Sequence, residues 1–236
     1  MDDAAPRSPV ALSAHLDEVG RWSWLYKWIL AIPHVFVLTL LWPVVVLLTI
    51  VAGVSIAVTG RYPRGIFGFN LGVMRWTWRV TFYAFTLGTD RYPPFSLEEE
   101  PDYPARLDID YPEQLSRGLV WVKWWLLAIP HYLIVGVLSG GIGWHVGGLI
   151  GILCLIAGIV LATGRPYPPS IFDLVMGMHR WGWRVVAYVA LMRDEYPPFR
   201  LDVGPDEPAP AAAVPPPPPP PATEAPRPGE PGPLPA

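Results

Sequence analysis

Two long apolar stretches constrain this chain more than any other feature. Residues 25–58 and 121–162 run for 34 and 42 residues, each with a single Lys near its start, Lys27 and Lys123. About 20 apolar residues suffice to cross a bilayer as a helix, so each stretch is long enough to cross twice. The second is cut by Ser139-Gly140-Gly141-Ile142-Gly143 and Gly147-Gly148 and reads as a helical hairpin, with spans of about 121–139 and 146–162. The first has Trp42-Pro43 at its middle and reads as spans of about 24–41 and 44–59 joined by a sharp turn; one long kinked helix is the alternative.

Composition agrees with a membrane protein. Apolar residues make up 52% and charged residues 16%, against roughly 25% charged in soluble domains, and mean hydropathy is +0.32. This excludes a chain disordered throughout, a collagen, a disulfide scaffold and a nucleic-acid binder with a basic surface. Cys154, the single cysteine, lies inside an apolar run and reads as a small buried residue, with no internal disulfide and no thiolate metal site. Residues 1–9 are polar and acidic, with no apolar segment behind basic residues, so a disordered N-terminus is expected rather than a cleaved signal peptide.

The chain repeats itself. Trp24-x3-Trp28-x-Leu30-Ala31-Ile32-Pro33-His34 recurs as Trp121-x3-Trp125-x-Leu127-Ala128-Ile129-Pro130-His131. Thr59-Gly60-Arg61-Tyr62-Pro63 recurs as Thr163-Gly164-Arg165-Pro166-Tyr167-Pro168. Arg75-Trp76-Thr77-Trp78-Arg79 recurs as Arg180-Trp181-Gly182-Trp183-Arg184, and Tyr92-Pro93-Pro94-Phe95 as Tyr196-Pro197-Pro198-Phe199. Four motifs in one order define two tandem units, 10–100 and 101–203. Each opens on an alternating stretch that predicts a short strand: Val10, Leu12, Ala14, Leu16, then Leu107, Ile109, Tyr111. Phe199 to Val203 gives a further candidate strand.

Segments 66–87 and 171–192 are long enough to span, yet each carries two Arg mid-segment, which costs about 2.5–3.5 kcal/mol per residue at a bilayer centre. Interleaved with Trp, they predict helices lying in the headgroup region. On the resulting four-span reading, all 17 basic residues fall on one side, which places both termini in the cytoplasm. The expected fold is therefore an all-α membrane protein of two tandem repeats. Each is a transmembrane helical hairpin plus an Arg/Trp interfacial helix, with room for short cytoplasmic β-strands, in a multi-pass protein of the inner (plasma) membrane.

Taken together, these ordered motifs resemble the bacterial membrane-protein family DUF4389, a domain of unknown function, across residues 10–203. The resemblance implies an integral membrane protein, commonly with tandem copies, and supplies no activity, cofactor or catalytic residue.

Two sets of residues stand out as candidate sites. His34 and His131 follow Pro33 and Pro130 at membrane depth. They read either as ligand or proton-relay groups facing each other across the repeat, or as side chains that help to stabilise the proline break. The pairs Arg75/Arg79 and Arg180/Arg184 are spaced i,i+4 and, with Trp76, Trp78, Trp181 and Trp183, suit anionic lipid headgroups. Internal pairing is the alternative, with the acidic segment Glu98 to Asp110 or, in unit two, with Asp173. No metal set, cofactor motif, nucleophile elbow or phosphate loop is present in the sequence.

Residues 204–236, with a seven-proline run at Pro215 to Pro221, predict a disordered polyproline-II arm, either a spacer or a docking segment for a cytoplasmic protein. The function expected is that of a non-enzymatic, lipid-associating scaffold or accessory subunit. The alternative is a small transporter or channel using the repeat interface.

Overall fold

A computed structural model describes residues 8–139 and 148–202. The N-terminus 1–7, the expected hairpin turn around 140–147 and the tail beyond 202 lie outside the described residues. Strand β1 (Val10–Ala14) is followed by α1 (Ser23–Thr59) and α2 (Arg64–Ala84). Strand β2 (Ala105–Ile109) leads to a 3-10 turn (Leu119–Trp121), a π-turn (Lys123–Leu127), α3 (Ile129–Ser139), α4 (Leu149–Ala162) and α5 (Pro169–Val189).

Helix α1 is one unbroken helix of 37 residues with Pro33 and Pro43 inside it. This corrects the expected turn at Trp42-Pro43. A proline removes one helical hydrogen bond but need not end a helix whose neighbours hold it. Here the Trp42 indole N–H donates to Thr77 Oγ1 of α2 (3.2 Å), and Thr39 Oγ1 donates back to the Val35 carbonyl (2.7 Å). At about 1.5 Å per residue the helix is about 55 Å long. It is the one helix among the described residues long and apolar enough to cross a membrane; α3 and α4 are apolar but shorter. Its buried positions (Lys27, Ala31, His34, Leu38, Val45, Ala52 and Ile56) form a single stripe at helical spacing, and that stripe packs along α2.

The two expected strands form, and they pair with each other. β1 and β2 run antiparallel in register Leu12↔Leu107, and their inward residues Val10, Leu12, Ala14, Ala105, Leu107 and Ile109 all enter the core. Residues 199–202, read as a further strand, are irregular instead.

Helices α2 and α5 are the central elements, not interfacial ones. Trp76, Trp78, Trp181 and Trp183 are all buried, with Trp78 tilted against His179 of α5 (5.0 Å) and Phe82 edge-on to Phe172 (6.3 Å). The reason is that their arginines find acceptors inside the protein, so these helices need no headgroup layer to solvate them.

Contacts come in matched pairs. Leu87 and Leu191 both adopt left-handed backbone (φ 61 and 60), a conformation that persists only where packing imposes it. Their Cδ1 atoms meet Gly158 and Gly53 respectively, lying 3.5 and 3.2 Å from where a Cβ would be. Cys154 is buried, as expected of it.

Gly72 on α2 sits against the 97 segment, where a Cβ would lie 2.7 Å from the Leu97 carbonyl oxygen; at Gly68, one turn earlier, a Cβ meets nothing within 4 Å. Gly72→Ala should therefore lower stability by about 1–3 kcal/mol. Gly68→Ala should leave it unchanged or raise it by up to about 1 kcal/mol through helix propensity. Unfolding followed by circular dichroism in detergent measures both.

Candidate functional site

The arginine pairs face inward. Arg75 Nε donates to the Leu107 carbonyl of β2 (3.0 Å), and its Nη2 pairs with Asp108 (2.6 Å). Arg79 donates to the Glu98 carbonyl (3.1 Å) and to the Ser96 carbonyl, with Glu100 at 4.0 Å. In the second half, Arg180 Nε donates to the Leu12 carbonyl of β1 (3.0 Å) and its Nη1 to the Asp202 carbonyl (2.6 Å), while Arg184 pairs with the Asp202 carboxylate (2.6 Å). Asp202 takes the part that sequence reasoning gave to Asp173. Arg79, Arg180 and Arg184 are buried and Arg75 is only 19% exposed at its side chain. The outward lipid fork expected of these residues and the flanking Trp is thus replaced by an internal network.

His34 and His131 are each sealed in an aromatic cluster of the same make-up. His34 stacks on Phe95 (3.9 Å between centroids), with Tyr92 at 4.8 Å, and accepts a hydrogen bond at Nδ1 from the Trp76 indole (3.1 Å). That bond places the ring proton on Nε2. His131 stacks on Phe199 (4.7 Å), with Tyr196 at 4.7 Å and Trp181 at 5.4 Å. No contact joins the two histidines among the described residues, and no group of three His, Cys, Asp or Glu able to hold a metal occurs among them. These side chains therefore pack the exit motifs onto the long helices, with no second ligand at hand.

Two further residues, seen in the sequence only as the lone cations of the apolar stretches, turn out to be buried and paired. Lys27 and Lys123, the only lysines in the chain, are buried at 0% and 1%. Lys27 pairs with Asp90 (2.6 Å) and lies over the Tyr83 ring (5.4 Å); Lys123 pairs with Asp194 and lies over Tyr188 (4.9 Å). The two Asp also cap backbone: Gly20 N–H donates to Asp90 and Ser116 N–H to Asp194. Lys27 precedes His34 by seven residues, whereas Lys123 precedes His131 by eight. The π-turn at Lys123–Leu127 absorbs that extra residue and keeps both contacts in phase. The signal available in sequence was an Asp two residues ahead of each Tyr-Pro-Pro-Phe motif, in a chain with only two lysines.

A cavity of about 340 Å³ lies at the C-terminal end of α1, lined by Thr59, Gly60, Arg61, Gln114, Leu115 and Arg117. Gly60 closes the helix in left-handed conformation (φ 74), and Leu115 N–H donates to its carbonyl (2.9 Å), which brings residues 114–117 alongside the helix end.

Residues 21–96 match the family described as Domain of unknown function (DUF4389). No curated protein and no solved structure matches the chain.

Burial pushes the Asp90 carboxyl up, but hydrogen bonds from Lys27 and Gly20, the Lys27 charge and Ser23 outweigh it and hold its pKa below the ordinary 3.8. A group with a depressed folded-state pKa contributes stability above its unfolded value and loses it as pH falls through the folded one. The gap in unfolding midpoint between wild type and Asp90→Asn should accordingly be full at neutral pH and close below about 3.8. Arg180→Lys should cost about 1–3 kcal/mol, because one ammonium cannot hold the Leu12 and Asp202 carbonyls in the fork geometry of a guanidinium. Denaturant titration in detergent measures that loss.

Proposed function

We propose that this chain is a non-enzymatic, membrane-embedded component, a lipid-associating scaffold or accessory subunit. In this reading it is built from two tandem copies of one unit and sits in the inner (plasma) membrane, with α1 as one continuous span rather than the expected hairpin, so that the basic residues stand at both of its ends. The observation that carries the proposal is the outer arc of α1. Trp28, Ile32, Phe36, Leu40, Leu47 and Val54 are all exposed there, and no charged residue occurs between Lys27 and Arg61. A contiguous apolar surface of this length needs a bilayer or a partner to cover it. The composition, with the cationic groups drawn into the interior or gathered at helix ends, suits lipid as that cover. Leu133, Val137 and Leu155 continue the surface on α3 and α4.

Matched contacts support the tandem reading: Lys27–Asp90 with Lys123–Asp194, His34–Phe95 with His131–Phe199, and Arg75–Leu107 with Arg180–Leu12. A transporter reading asks His34 and His131 to line a water-accessible path, and both are fully buried in aromatic packing. Residues 204–236 remain the proposed docking arm for a cytoplasmic protein.

The chain should fractionate with membranes and resist extraction at alkaline pH; release into the soluble fraction would refute the embedded reading. Deleting residues 204–236 should leave that fractionation intact while abolishing crosslinks to a defined partner.

A further inference from the structure

We propose that the cavity at the end of α1 is a binding site for the phosphate of an anionic lipid headgroup, held by Arg61 and Arg117. The inference rests on the membrane-embedded reading above and specifies which residues select lipid charge.

Arg61 and Arg117 are exposed, and neither guanidinium makes an ion pair or a hydrogen bond among the described residues. That sets them apart from Arg75, Arg79, Arg180, Arg184 and Arg193, all of which are spent on internal acceptors. Both line the same concavity of about 340 Å³, together with Thr59 and Gln114. Planar guanidinium forks facing one space are matched to the oxygens of a phosphate.

Three observations argue for a lipid source. The exposed apolar arc of α1 ends at Val58, 69% exposed, three residues before Arg61, so the cations stand where a hydrocarbon surface meets water. That is the depth at which headgroup phosphates lie and at which basic side chains bind anionic lipid. The end of a helix carries about half a negative charge, against two full positive charges here, so the local field still favours an anion. The helix-end carbonyls are also partly occupied: Gly60 N–H bonds to Ile56 and Thr59 Oγ1 to Ser55. At the matching place in the second half, Arg21 Nε is committed to the Ala162 carbonyl (2.9 Å), which leaves the first site as the one with both guanidinium groups unspent.

The test uses the full chain in detergent micelles, with phosphatidylglycerol or phosphatidylcholine titrated in and bound lipid counted by native mass spectrometry. Wild type should bind phosphatidylglycerol preferentially. The double variant R61Q/R117Q should bind it about 25-fold more weakly, the product of about fivefold per basic residue. R165Q, which removes an exposed cation elsewhere, should stay close to wild type. Unchanged phosphatidylglycerol affinity in R61Q/R117Q would overturn the site. Displacement of the lipid by millimolar inorganic phosphate would overturn the lipid source in favour of a free-phosphate site. Flotation of R61Q/R117Q with neutral vesicles should match wild type, which separates this site from the embedded reading. Loss of that flotation would overturn headgroup selection, because the cations would then serve insertion itself.

Discussion

The bonds from Arg75 Nε to the Leu107 carbonyl and from Arg180 Nε to the Leu12 carbonyl tie the rest of the structure together. An isolated two-stranded ribbon of five-residue strands is marginal in water, so β1 and β2 need something to brace them. Each strand is braced by a guanidinium from a helix far away in the chain: β2 by α2, and β1 by α5. Leu12 and Leu107 are themselves paired in the ribbon, so the two arginines clamp one residue pair from two helices. A buried cation otherwise carries a heavy desolvation cost, and these carbonyls, with Asp108 and Asp202, meet it. Once both arginines are fixed, Trp78 and Phe82 come to lie against His179 and Phe172, and the central helix pair is set.

The parts legible from sequence are those governed by local pattern. Period-two alternation located both strands, and helical segments were found at 66–87 and 171–192 to within a few residues of α2 and α5. What was not legible depends on partners distant in the chain. The fate of Trp42-Pro43 turns on Thr77, which lies 35 residues on and anchors the indole through a possible break. The orientation of the arginines turns on main-chain carbonyls at Ser96, Glu98, Leu107 and Leu12, and a carbonyl has no sequence signature because every residue has one. The Arg/Trp pattern therefore predicted headgroup helices, and only the acceptors, which lie elsewhere in the chain, turn them inward.

The single-residue difference between the halves shows which contacts the fold holds constant. Between Lys and His the second half has one residue more, and a straight α-helix would rotate His131 by about 100° out of phase with Lys123. Instead the helix widens to a π-turn, a rare conformation, over Lys123–Leu127, at the start of the stretch between them. Both the ammonium–carboxylate–tyrosine contact and the histidine stack survive the insertion. Local helix geometry yields to them, which marks them as stronger constraints than the regularity of the helix.

The segment 21–96 that matches the DUF4389 family contains one such set complete: α1, α2, Lys27 with Asp90, and His34 with Phe95. It does not contain the acceptor that Arg75 uses on β2, nor the Arg117 that lines the cavity with Arg61. The packing of long helix against Arg helix is thus internal to the matched segment, whereas the strand clamp and the cavity exist only where residues 105–117 are brought to it. Both features need residues outside the matched segment, and it is there that this chain gains structure beyond it.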